Sequence, residues 1–256
     1  IAAWRALSPA EVAREVHERV AELASGQREA VFALLACEEE LVGRLEKVAG
    51  RDGPLGRPDR RASSVGAAGP AVPPYLAGLP FVVKDVFDAA GWPTKAGSTF
   101  LEQVRGIPEA DGALVKRLRG EGAVLAGKTH LHEFAYGITG ENPHYGDVEH
   151  PRLPGRTSGG SSSGSAAAVA AGVGPLAGGT STERSLRVPA LFCGLFGFRM
   201  TPHHPWIADA FPLAPSFDTA GWFTANAGDM AVGLDALAGV KASGRALRGA
   251  WLPFGD

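Results

Sequence analysis

Apolar residues recur with a helical period at the start of the chain. Val12, Val16, Val20 and Leu23 stand four, four and three residues apart, which puts them on one helical stripe. Ser8-Pro9-Ala10-Glu11 ahead of them has the form of a capping box with Pro at the first helical position. A second helix is predicted from about Arg28 to Val48, with Val31, Leu34, Leu35, Leu41, Val42 and Leu45 as its apolar positions. Residues 50–78 are rich in Gly, Pro, Arg and Ala and read as a loop wrapping the surface. Leu79-Pro-Phe-Val-Val-Lys-Asp-Val-Phe87 is a short apolar strand with a lysine inside it. Ala113 to Glu121 reads as a helix, Ala123 to Ala126 as a strand, and Val169 to Ala177 passes from helix into a second buried strand. Short apolar runs alternating with helices predict an α/β fold, and there is no internal repeat.

One polar stretch interrupts this pattern. Residues 158–165 hold five serines and three glycines and run directly into Ala166-Ala-Ala-Val-Ala-Ala171. A flexible linker would not continue into such an apolar run. Glycine lets backbone approach a ligand closely, and serine supplies hydroxyls that act as nucleophiles or proton relays beside a base. Placed at the N-terminus of the Ala-rich helix, these groups also sit where negative charge is favoured. Gly179-Thr-Ser-Thr-Glu-Arg-Ser-Leu-Arg-Val-Pro189 follows shortly after.

Bulk properties narrow the function. The length of 256 residues suits one large domain or two small ones, and a formal charge of −2 gives no argument for nucleic-acid binding. No apolar run approaches the roughly 18 residues that span a membrane, and the first residues do not read as a signal peptide. Cys37 and Cys193 lie far apart within apolar runs and are expected as buried thiols in a reducing cytoplasm. The chain begins without Met and stops at Asp256 with no ending signal, which reads as a fragment.

Several patterns compete for a chemical reading. Gly122 to Thr129 satisfies G-x-x-x-x-G-K-[ST], but its four middle residues are themselves strand-like and cannot offer their N–H groups to phosphate. His130 and His132 would share a face on a strand, and His203-His204 form a doublet, but no third ligand stands at a diagnostic metal spacing. Lys84 sits inside an apolar strand, where burial lowers a lysine's pKa towards that of a usable base. Asp85 could instead pair with it and keep it charged.

Lys84 in Gly78-Leu-Pro-Phe-Val-Val-Lys-Asp85, the Ser/Gly run and Ser185 in Gly179-Thr-Ser-Thr-Glu-Arg-Ser-Leu-Arg-Val-Pro-Ala190 together resemble the amidase signature family. So do Gly120 to Gly137, Phe192 to Arg199 and Ser216-Phe-Asp-Thr-Ala-Gly-Trp-Phe223. The resemblance runs from about Leu79 to Ala238. It implies an α/β amidase-signature fold: a mixed central β-sheet flanked by helices, with N-terminal helices in 8–50, a catalytic core in about 76–240, and the family's usual C-terminal part lacking. It implies hydrolysis of a carboxylic amide to acid and amine or ammonia through a serine acyl-enzyme, with no metal and no cofactor. Carried over, the nucleophile is Ser185, the base is Lys84, and the bridging serine is Ser161, the first after Gly159-Gly160 and 24 positions before Ser185. The oxyanion donors are the backbone N–H groups of Thr182, Glu183 and Arg184. The family usually has Asp where this chain has Ser181, and Gly-Gly where it has Glu183-Arg184. The implied partner is a small amide, with no nucleic acid and no membrane; a homodimer is allowed, and the location is cytoplasmic. The alternatives are the glutaminase subunit of a tRNA-dependent amidotransferase and a non-catalytic amidase homologue.

Overall fold

The computed structural model describes residues 1–49 and 75–240. Most of the surface loop read at 50–78 lies outside the described residues. In chain order the helices and strands begin with α1 (Pro9–Ala21), α2 (Gln27–Val31), β1 (Phe32–Leu35) and α3 (Glu38–Ala49). The central segment holds β2 (Pro80–Lys84), α4 (Leu101–Arg105), α5 (Ala113–Gly120) and β3 (Val124–Thr129). A small hairpin follows, β4 (Glu149–His150) with β5 (Leu153–Thr157), then α6 (Ser163–Ala170) and β6 (Leu176–Ser181). The last elements are α7 (Arg187–Cys193), β7 (Phe196–Arg199), β8 (Thr219–Thr224) and α8 (Ala227–Ala238).

The capping box forms. Ser8 N–H donates to Glu11 Oε2 at 2.7 Å and Glu11 N–H donates back to Ser8 Oγ at 3.4 Å. Val12, Val16 and Val20 are buried, so the stripe faces the core. The second predicted helix does not form as one piece. Phe32-Ala-Leu-Leu35 instead pairs antiparallel with β3, between α2 and α3. A run of consecutive apolar residues is compatible with either period, and the free edge of β3 supplied ladder hydrogen bonds that the local pattern could not reveal. Cys37, in the turn after β1, is exposed rather than buried, while Cys193 is buried as expected.

The sheet is mixed, six strands in the order β1-β3-β2-β6-β8-β7. β2 is parallel to both β3 and β6, and the outer strands are antiparallel. A Cβ on Gly178 would meet Val83 and Leu114 of α5, whereas one on Gly179 would meet Leu186 and Ser162. Successive strand residues face opposite sides, so α5 and the start of α6 cover opposite faces. Right-handed crossovers require this, because the chain leaves β2 in one direction to form β3 and returns past it to form β6. That reversal makes the carboxyl ends of β2 and β6 a topological switch point, where open α/β sheets bind ligands. Lys84 and Ser181 are the last residues of those two strands.

The Gly-Lys-Thr pattern at 122–129 is buried as β3, and Lys128 Nζ lies 2.7 Å from Asp85 Oδ1 on the face away from Lys84. No described helix is long and apolar enough to cross a membrane.

α6 is buried from Ser163 to Val169 because its residues are small. A Cβ on Gly164 would lie 2.5 Å from the Val31 carbonyl oxygen and 2.7 Å from that of His130. Gly164→Ala is therefore expected to cost about 1–3 kcal/mol through overpacking against backbone. Gly43, inside α3 with nothing near its missing Cβ, gives the opposite expectation: Gly43→Ala should gain up to about 1 kcal/mol of helix propensity. Thermal melts of the two variants check both signs.

Candidate active site

The serines of the polar run separate into distinct jobs. Ser158 Oγ donates to the Val148 carbonyl at 2.9 Å, Ser162 Oγ to that of Thr180 at 3.1 Å and Ser165 Oγ to that of Gly178 at 2.9 Å. These bonds fasten the entry of α6 onto β6 and the neighbouring loop. Ser161 points elsewhere. It follows a cis peptide bond from Gly160, and its Oγ lies 2.7 Å from Lys84 Nζ.

Lys84 is fully buried. Its Nζ also donates to Thr180 Oγ1 at 2.7 Å. Burial lowers its pKa to about 7, against the partial opposition of Asp218. The choice left open for Asp85 is decided by strand alternation: Asp85 faces the other side of the sheet, where it pairs with Lys128. Lys84 therefore has two neutral hydroxyls as its hydrogen-bond partners.

Ser185 sits in the turn between β6 and α7, nearly buried. Its carbonyl accepts from Ser162 N–H at 3.3 Å, which ties the turn to the residue after Ser161. The structure thus brings Lys84 and Ser161 into contact and sets Ser185 beside them. No hydrogen bond joins Ser185 Oγ to either among the described residues. The backbone N–H groups of Thr182, Glu183 and Arg184 likewise make no hydrogen bond to described residues. Glu183 and Arg184 are exposed and pair with each other at 3.2 Å. Ser181 is buried, with no partner for its Oγ among the described residues.

Asp218 is the residue that motif reading passed over. It is buried and accepts Thr182 Oγ1–H at 2.5 Å on one oxygen, and Leu213 N–H and Ala214 N–H at 2.9 Å each on the other. It ties the turn carrying Ser185 to the loop preceding β8. The available signal was the lone acid inside Ser216-Phe-Asp-Thr-Ala-Gly-Trp-Phe223. Between these two segments opens a cavity of about 390 Å³, reached by Ser185, Tyr136, Ile138, Leu213 and Phe217.

His130 and His132 take packing positions, whereas His203 is exposed and His204 lies against the Trp206 ring. His130 stacks on Tyr145 with ring centroids 4.0 Å apart, and burial drops its pKa to about 4. The His132 ring fills the space where a Cβ on Gly137 would stand. Among the described residues no three His, Cys, Asp or Glu side chains gather closely enough to hold a metal.

A profile of the family described as Amidase matches residues 59–244. The chain belongs to the amidase family. It is 40% identical over 173 residues to the 1-carboxybiuret hydrolase subunit AtzE of Pseudomonas sp. (strain ADP), covering 68% of this chain and 37% of that protein. It is 42% identical over 154 residues to the indoleacetamide hydrolase of Pseudomonas savastanoi, covering 60% and 33%. A solved structure described as an amidase superposes with a TM-score of 0.72 at 35% identity, covering 92% of this chain and 49% of its own. The chain thus spans about a third of the curated relatives and about half of that amidase.

Two expectations follow for this site. Lys84 releases its proton near pH 7 when folded and near 10.5 when unfolded. Between those values the unfolded chain binds the extra proton, so the Lys84 contribution to stability is lost as pH falls through that window. Lys84→Met should raise the melting temperature most at pH 6 and progressively less towards pH 10. A difference independent of pH would contradict the depressed pKa. Asp218→Ala leaves three donors without their acceptor and should cost about 2–4 kcal/mol in a denaturant titration.

Proposed function

We propose that the chain carries the catalytic core of an amide hydrolase that cleaves a carboxylic amide to carboxylate and ammonia or amine through an acyl-enzyme on Ser185. The observation that carries this reading is the buried Lys84 amine, with a pKa lowered to about 7, set 2.7 Å from Ser161 Oγ, while the next residue, Ser162, donates its N–H to the Ser185 carbonyl.

The proton path is simple. Near neutral pH a large share of Lys84 is uncharged, and its lone pair accepts the Ser161 hydroxyl proton while an N–H remains on Thr180. Ser161 takes the proton of Ser185 as Ser185 Oγ bonds to the amide carbonyl carbon. The carbonyl oxygen becomes an oxyanion, received by the N–H groups of Thr182, Glu183 and Arg184, which make no hydrogen bond among the described residues. One such donor is worth about 3–4 kcal/mol in other acyl-transfer enzymes. The proton returns from Lys84 through Ser161 to the leaving nitrogen, and the C–N bond breaks. Water then adds to the ester by the same relay and releases the acid and Ser185. The donors are backbone groups, so Glu183 and Arg184 can stand where glycines usually do; both side chains are exposed and line the cavity. The amidase relatives support this reading, and a cytoplasmic setting is part of it.

Ser185→Ala should lower amide turnover by several orders of magnitude with the melting temperature little changed. Turnover by the unsubstituted chain should rise with pH through about 7, as Lys84 loses its proton. Covalent labelling of Ser185 by diisopropyl fluorophosphate, read by mass spectrometry, is the direct check. An unlabelled chain would place it with non-catalytic homologues.

A further inference from the structure

The segment that walls the cavity beside Ser185 also walls a second cavity, of about 360 Å³. Leu213, Ala214 and Phe217 line the first, whereas Pro212, Pro215 and Asp218 line the second. His203, His204 and Ile207 belong to the second cavity as well. Apart from the two histidines, Asp218 is the one ionisable side chain in that lining.

Asp218 is only 5% exposed, and its three hydrogen-bond partners are neutral: the Thr182 hydroxyl and the N–H groups of Leu213 and Ala214. The Lys84 amine feels its charge but bonds to Ser161 and Thr180 instead. A carboxylate removed from water without a bonded cation is costly. Its Oδ1 accepts one hydrogen bond, from Thr182, and keeps a lone pair for another donor.

His203 adds a second acceptor. Its φ of 62° lies in the left-handed region that residues with side chains avoid, and such backbone persists only where its surroundings impose it. Here the Thr201 carbonyl imposes it, accepting His204 N–H at 3.2 Å and Thr219 Oγ1–H at 2.8 Å. The turn is thereby tied to the residue after Asp218. His204 is already engaged: its Nδ1 accepts Trp206 N–H at 3.4 Å, and its ring meets the Trp206 ring edge-on. The His203 ring makes no hydrogen bond among the described residues, so its acceptor nitrogen is open.

A carboxylate and an imidazole nitrogen both call for a donor, and the carboxylate calls for positive charge. An anion would be repelled by Asp218. Among the described residues no third side chain joins to form a metal site. Ile207, Pro212 and Pro215 offer apolar surface beside the two acceptors.

We propose that this second cavity binds a small primary ammonium ion with an apolar body, its N–H groups donated to Asp218 and His203 and its alkyl part laid against Ile207, Pro212 and Pro215. The site stands whether or not Ser185 is a nucleophile, so it is tested by binding to the unsubstituted chain. The probe is butylammonium, titrated at pH 8 and constant ionic strength, and followed by calorimetry and by amide NMR. Saturable binding is expected, with shifts of the Leu213 and Ala214 amides that donate to Asp218. Butan-1-ol has the same body without the charge, and tetramethylammonium has the charge without an N–H. Each should bind at least roughly tenfold more weakly, the worth of one hydrogen bond to a charged group. His203→Phe keeps a ring but loses the acceptor and should weaken butylammonium binding by a similar factor. His203→Gly should do the same while its melting temperature holds or rises, because glycine takes a positive φ without strain. No saturable binding, equal binding of butan-1-ol or tetramethylammonium, shifts that spare Leu213 and Ala214, or an affinity unchanged in both His203 variants would each overturn the proposal.

Discussion

Burying the Lys84 amine is the constraint on which the rest of the site depends. A lysine at the end of a central strand loses its hydration, and the fold must supply polar partners without supplying a full countercharge. Two hydroxyls do this, Ser161 Oγ and Thr180 Oγ1, each at 2.7 Å. A carboxylate in their place would hold the proton on the amine. Asp85, next in sequence, is removed from competition by the alternation of a strand, and is balanced by Lys128 on the far face. The acid whose charge acts on Lys84 is Asp218, which only partly offsets the burial.

Holding Ser161 against that amine requires the chain around it to be close-packed. The turn before α6 is threaded through Gly159 and Gly160, and Gly160 N–H donates to the Ile138 carbonyl at 2.6 Å. A Cβ on Gly160 would lie 2.8 Å from the Gly140 nitrogen, so only glycine allows this approach. Ser162 and Ser165 then bolt the helix to β6. The Ser/Gly run is therefore the opposite of a flexible linker: its small side chains allow backbone contact, and its hydroxyls replace the polar contacts that contact displaces.

Asp218 extends the same logic to the cavity beside Ser185. One carboxylate accepts from the Ser185 turn and from the loop that forms the cavity wall. The turn carrying Ser185 and the wall of the cavity thus share one anchor. Ser181 marks the contrasting case, a buried hydroxyl left without a partner among the described residues at a place where the family usually carries a carboxylate.

Much was legible from the residues alone. The capping box and valine stripe of α1, the buried strand around Lys84, the small-residue helix α6 and the false phosphate loop follow from local pattern, because each reflects a period or a dipeptide preference within a few residues. The family resemblance singled out Lys84, Ser161 and Ser185, and the structure sets the three at one end of the sheet. What local pattern could not decide were pairings between distant segments. Phe32 to Leu35 became a strand because β3 offered it an edge. Asp85 went to Lys128 because of a side of the sheet that exists only once the strands are assembled. Asp218 acquired its role from donors at Thr182, Leu213 and Ala214, the first 36 positions away. The lowered pKa of Lys84 belongs to this second group: the sequence determined that a lysine would enter an apolar strand, but only tertiary packing decided that water and carboxylates would be kept from it.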